Sequence, residues 1–524
     1  MTVNTVRALL ENAVRLAPEK TAIIHDATRL NYRELYERVN RVANYLNAQD
    51  LPHGSRIGIY SHKSCDQVIG ILAILSTGHI VVPITRLLKP EQVRHIVDDC
   101  GIVTMITGEQ KIETFAQIDF GGRIISYTAT DKSDVSFEEI YKCHSAELEC
   151  DIKGHDNAAI TYSFSTVGNP KGIVIDHRAL VDGARIVSKY LDIQSTDVLS
   201  GLLSFNLDYG LNQIFATLYT QATLAIHKLM LPADFFAHLI RDEVSVLPLM
   251  PVHISEMFDE EPHRIPTPEH FRSLRAVTSS GGNLTPRMIT QLQTHFPDAQ
   301  IFSMHGMTEA FRSAYLDPGQ INIRPGSIGK AVPDVELYII DEEGNACAPR
   351  QVGELIHRGA CIYKGFWNTP EETARRFKSI AILNKVIHPE GRLTDEIVVA
   401  SGDYVYADEE GYIYFVDRKD DMIKTRGYRV SPYEIESVVR EHLPRITECA
   451  VFSLPNEEIE EEIVLVYHAP EELSPSEILF ELKQHLANYM LPEQIHYHAA
   501  MPRKSLHSQE IDKEALRNIY LGEG

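Results

Sequence analysis

Residues 161–172 read TYSFSTVGNPKG, between the apolar run 158–160 and a helical pattern that begins at His177. A loop in that place can wrap backbone N–H groups around phosphate oxygens, with Lys171 adding a point charge. A second stretch, residues 401–437, reads SGDYVYADEEGYIYFVDRKDDMIKTRGYRVSPYEIES. Residues 412–416 alternate as a strand does, and Asp417, Arg418, Lys419, Asp420 and Asp421 then replace the apolar pattern with charge. Ser431, Pro432 and Glu434 follow with the order of a helix start: a capping hydroxyl, a proline in the first turn, and a carboxylate able to reach back to the cap. A charged turn between a strand and a freshly capped helix marks a boundary between two units. Arg312 presents a planar guanidinium that can meet a substrate carbonyl or carboxylate, or equally pair with a neighbouring acid. Asp208, in LSFNLDYGLNQ, presents a carboxylate that can cap the helix that follows it.

The elements that must hold these groups alternate. Leu35, Val39, Val42 and Leu46 fall at helical spacing, 56–60 is strand-like, 67–75 is apolar nearly all round, 80–84 is strand-like, Pro90 opens a helix and 103–106 is another strand. Alternation of this kind predicts α/β layers with buried, largely parallel sheets. After the charged turn, strands are expected over 448–454 and 463–467, and Ser474 with Glu477 has the form of a second capping box, which makes a small α+β unit. The chain has 524 residues, more than one ordinary core organises. We expect domains over 1–419 and 420–524.

Fifty basic residues against 73 acidic ones give a formal charge of −23, a field that repels nucleic acid and anionic membrane. Any anionic ligand must then be held locally. Seven cysteines are scattered without a CxxC pair and read as reduced thiols. With no apolar run of bilayer length and no leader-like start, the chain reads as cytoplasmic.

These motifs together resemble the adenylate-forming superfamily of acyl-CoA synthetases, luciferases and peptide-synthetase adenylation domains, nearest its free-standing acyl or aminoacyl ligases. The resemblance implies a large α/β core domain, a small mobile C-terminal lid, and ATP and Mg²⁺ as cofactors. In the phosphate loop Thr166, Gly168 and Lys171 match the family pattern. Met304, His305, Gly306, Met307, Thr308 and Glu309 match its adenine and metal block, in which Thr308 would touch the α-phosphate and Glu309 would hold magnesium, a cation that takes oxygen ligands. His305 stands where the family has an aromatic tyrosine. Gly281 and Gly282 would let backbone approach the base. Asp403, assisted by Arg418, would hold the ribose hydroxyls, Asp420 would be the hinge, and Arg429 would meet the α-phosphate. The acid pocket would be lined by Phe205, Asn206, Asp208, Gly210, Thr278, Ser280, Met304, Arg312 and Ser313, with Asn206 where amino-acid-activating relatives carry an aspartate. The blocks around Gly353 and Gly365 look like scaffold.

Two departures bear on chemistry. Phe164, Ser165 and Val167 replace small or hydroxylated residues of the phosphate loop, and registering the C-terminus on Ile511 and Asp512 puts Glu510 where the family has its adenylation lysine. The expected function is an AMP-forming ligase that activates a small carboxylic acid, amino acids included, and transfers it to the thiol of CoA or of a separate carrier protein's phosphopantetheine. The alternatives are an acyltransferase that has lost adenylation and a nucleotide or acyl-adenylate binding protein.

Overall fold

The computed structural model describes residues 3–143, 147–163, 170–258, 265–282, 284–387, 395–418, 422–425, 428–456, 460–486, 488–504 and 511–521. Backbone packing divides the chain into two compact units, 1–338 with 356–400, and 339–355 with 401–524. The expected boundary at 419/420 lies outside the described residues.

The larger unit is layered α/β. One sheet has eight strands in the order Gly365–Phe366, Lys171–Asp176, Asn157–Ser163, Ile80–Ile84, Arg56–Tyr60, Thr104–Thr107, Arg123–Ser126 and Val135–Ser136. From Asn157–Ser163 to Val135–Ser136 its neighbours pair in parallel. Such strands carry apolar side chains on both faces, and all five residues of Ile80–Ile84 are buried accordingly. The other sheet places Val198–Ser200, Val246–Leu249, Ala276–Ser279 and Gln300–Met307 side by side in parallel, then turns back through Ala310–Leu316. Helices begin where their caps say: Asn31 and Glu34 form a reciprocal box ahead of Tyr32–Asn47, and Ser64 and Asp176 cap Cys65–Ile74 and His177–Tyr190.

The smaller unit has its own core. A five-stranded sheet runs Tyr428–Val430, Ile423–Thr425, Glu460–His468, Glu448–Asn456, with Gln494–Tyr497 beside Glu460–His468. Helices Pro432–His442 and Pro475–His485 contribute Ile435, Val439, Ile478 and Leu482 to the buried cluster on that sheet. Ser431 caps the first helix through the Glu434 amide and also donates to Asp417, 2.9 Å away. Ser474 departs from expectation: its hydroxyl meets Ser476 instead of a helical amide, so Pro475 alone sets the start of that helix.

Candidate active site

The phosphate loop differs from the expected strand-to-helix connection. Asn157–Ser163 and Lys171–Asp176 are antiparallel partners, so the loop joins two strands of a hairpin and Lys171 is the first residue of the second. Thr166 and Gly168 lie outside the described residues, as do Phe164, Ser165 and Val167. Gly172 lets this strand pass close to Ile160, since a Cβ there would stand 2.8 Å from the Ile160 methyl.

Thr308 and Glu309 form the two-residue tip between Gln300–Met307 and Ala310–Leu316, with Met307 opposite Ala310. A bulge between His305 and Met307 re-aims the strand just before the tip. Gly306 sits in it, and any Cβ would lie 2.3 Å from the Phe311 carbonyl oxygen. The Glu309 carboxylate is buried and faces Arg376 at 3.6 Å. The Lys171 ammonium faces Glu372 at 3.2 Å. Gly281, at φ +81°, follows strand Ala276–Ser279 and turns the chain beside Met250.

The acid-pocket residues converge around Arg312. Its guanidinium is buried, donates from Nη1 to Ser280 Oγ at 2.9 Å, and lies 4.9 Å from the Tyr209 ring centre and 4.6 Å from that of Phe311. Arg312 Nε is buried without a hydrogen-bond partner among the described residues. Tyr209 and Thr278 share a 2.5 Å hydrogen bond. Asp208 is the first residue of helix Asp208–Thr220 rather than its cap, and its carboxylate accepts from the Tyr209 amide at 2.6 Å and the Tyr363 hydroxyl at 3.4 Å. Burial raises the Asp208 carboxyl above its ordinary range and the Arg312 charge opposes that. Gly210 is required because a Cβ would lie 2.0 Å from the Ser204 carbonyl oxygen. Phe205 is core, Met304 accepts from Tyr190, and Ser313 is fully buried with its hydroxyl 2.9 Å from His357 Nδ1. Burial lowers His357 to about 4.

Asn206 lies elsewhere. It accepts from Ser204, and both line a cavity of about 530 Å³ with Lys63, Arg86, Lys228, His62 and His253. Sequence reading missed this basic cavity because its residues come from well-separated segments. Lys63 donates to the carbonyls of Gly201, Leu202 and His227, which hold its ammonium form, while burial beside Lys228 and Arg86 pushes it down to about 7.

In the smaller unit Asp403 is fully buried and pairs across a hairpin with Arg418. Nothing in the described residues gives the Arg418 or Arg429 side chains, and Asp420 and Glu510 fall outside them. One group of three metal-type donors exists among the described residues, His442, Glu481 and His485. Its imidazoles stack 3.6 Å apart at 7°, so their in-plane lone pairs run side by side and do not converge.

Among known proteins the chain is 24% identical over 518 residues to tyrocidine synthase 1 of Brevibacillus parabrevis, covering 98% of this chain and 45% of that protein. It is 26% identical over 517 residues to tyrocidine synthase 2 of the same organism, covering 98% and 14%. The chain thus spans under half the length of these relatives. Among solved structures its fold matches ATP-bound MatB from Rhodopseudomonas palustris at TM-score 0.84, 24% identity and 99% coverage of both chains. It also matches the anthranilate CoA ligase AuaEII in complex with anthranoyl-AMP at TM-score 0.81, 23% identity and 98% and 97% coverage. No helix among the described residues is long and apolar enough to cross a membrane. The model of the AMP-binding enzyme family matches residues 10–367, well over half of the chain, and the protein belongs to that family, within the adenylate-forming superfamily.

Proposed function

We propose that this protein activates a small polar carboxylic acid with ATP, releasing pyrophosphate, and passes the acyl group to a thiol carried on a phosphate-bearing arm, CoA or a carrier protein's phosphopantetheine. The buried Arg312 with its unpartnered Nε carries the substrate reading. A guanidinium held by Ser280 and two aromatic faces would be costly to leave against a hydrocarbon tail, whereas an acid bearing a hydroxyl, carbonyl or second carboxylate would complete its hydrogen bonds. The basic cavity at Lys63, Arg86 and Lys228 supports the phosphate-bearing acceptor.

The residues fit a magnesium-bound nucleotide. Glu309 offers carboxylate oxygens, the donors a hard dication takes, and Gly306 keeps the strand free of a Cβ next to it. Bound magnesium supplies charge neutralisation at the triphosphate. In this reading Lys171 and the Thr308 hydroxyl orient phosphate oxygens, His305 offers a ring face to adenine, and Gly281 and Gly282 let backbone near the base. Asp403 and Arg418 are assigned the ribose, Arg429 the α-phosphate and Asp420 the pivot between half-reactions. Catalysis is then largely positioning and charge stabilisation. Mass spectrometry of reactions with single acids tests the proposal: an acyl-AMP that forms without thiol and is consumed when CoA or a phosphopantetheinylated carrier is added supports it, and ATP left intact with every acid contradicts it.

A further inference from the structure

Residues 361–376 form a strap between the Glu309 tip and the Lys171 strand. Phe311 N donates to Cys361 O at 3.1 Å and Tyr363 N to Glu309 O at 3.0 Å. Gly365 and Phe366 then pair with Val174 and Ile173, and Trp367 N donates to Gly172 O at 2.8 Å. Thr373 ties the following helix, Pro370–Arg376, back to the Phe366 amide at 2.8 Å. Glu372 and Arg376 stand at i and i+4 on this helix, the spacing of an ordinary surface ion pair. Each instead reaches a charged partner off the helix: Glu372 reaches Lys171, and Arg376 reaches Glu309. The second pair is well shielded, with side-chain exposures of 12% and 7%.

We propose that helix Pro370–Arg376 is a charge-exchange element: Glu372 and Arg376 neutralise Lys171 and Glu309 in the empty site, and magnesium nucleotide takes over both partners. The inference rests on the ligase reading of Lys171 and Glu309 given above. Two opposite charges left bare in a partly closed site would be unfavourable, and the strap supplies counter-charges that are already positioned. Once Glu309 turns to the cation, the Arg376 guanidinium is left beside the triphosphate as an added positive charge.

Calorimetric titration of the full chain separates this from a merely structural role, because the element competes for the cation and assists the nucleotide. Arg376→Gln is expected to bind Mg²⁺ alone about tenfold more tightly and metal-free ATP about tenfold more weakly, the order of one shielded charge pair. Arg376→Lys should return both toward the parent. Glu372→Gln, which takes the Glu372 charge away from Lys171, should tighten metal-free ATP. Affinities for Mg²⁺ and ATP that move in the same direction, or stay unchanged, in Arg376→Gln overturn the proposal. If Arg376→Gln does not fold, Glu372→Gln decides: tighter metal-free ATP supports the exchange, and unchanged or weaker binding overturns it. A parent protein that binds no ATP would defeat the ligase reading instead, and the Mg²⁺ titration, which needs no nucleotide, would still decide this one.

Discussion

The loop 204–209 lines two cavities of opposite character. On one side Asp208 borders a space of about 10 Å³, room for roughly one water, packed against Phe311 and Tyr363. Beside Asp208, outside the lining of that space, Arg312 donates to Ser280 and Tyr209 bonds Thr278 in two separate hydrogen bonds. On the other side Ser204 and Asn206 face about 530 Å³ bordered by Lys63, Arg86 and Lys228. A pocket that presents buried donors discriminates, because each one left unmet costs free energy. An open basic one recruits a flexible anion through charge, without demanding one geometry. In the reading proposed above, acid choice falls to the Arg312 side and acceptor-arm capture to the open basic side.

The largest expected effect lies at Arg312. Arg312→Met should lower kcat/KM for the preferred acid about 10²–10³-fold, as loss of a preorganised donor does, measured as acid-dependent AMP formation. The same loss for every acid tested would mean that Arg312 supports the fold and does not read the substrate. Glu510→Lys should act in the opposite sense and raise pyrophosphate exchange by a factor of up to about 10²–10³, since it restores the cation that the family resemblance places at this position. An unchanged rate would place another residue at that position.

His357 sharpens the comparison through pH. It holds Ser313 behind Arg312, and burial lowers its pKa to about 4. The unfolded imidazole, near 6.5, takes up its proton first, so this contribution to stability is full above that value and is lost as pH falls toward 4, by up to about 3 kcal/mol. Urea midpoints between pH 7.5 and 4.5 should therefore fall less in His357→Gln than in the parent, and equal slopes would contradict the assignment.

The smallest effect belongs to the open side. Lys228→Glu or Arg86→Glu should raise KM for the thiol acceptor about tenfold and steepen with falling salt, while pyrophosphate exchange stays unchanged. An equal loss in exchange would join the two cavities into one site.

How much of this was legible in the sequence follows from where each signal lives. The Thr308–Glu309 tip, the glycines at 210, 281 and 306, and the Asp403–Arg418 pairing all fall within motifs that the sequence singles out. The hairpin inside 157–176 was missed because residues 171–176 are apolar in a way a short strand and a buried helix entry share. The helix Pro370–Arg376 carries no motif that marks it, and charges at i and i+4 usually pair with each other in solvent. Its real partners, Lys171 and Glu309, lie far away in sequence. The Ser474 box failed because two serines satisfied each other before either reached a helical amide.

ATP–pyrophosphate exchange against a panel of single acids tests the central claim most directly. Exchange stimulated by short hydroxy, amino, keto or dicarboxylic acids, and not by palmitate-sized fatty acids, is the predicted result. Exchange with long-chain acids alone, or with no acid at all, would contradict an adenylating ligase whose pocket is organised around Arg312.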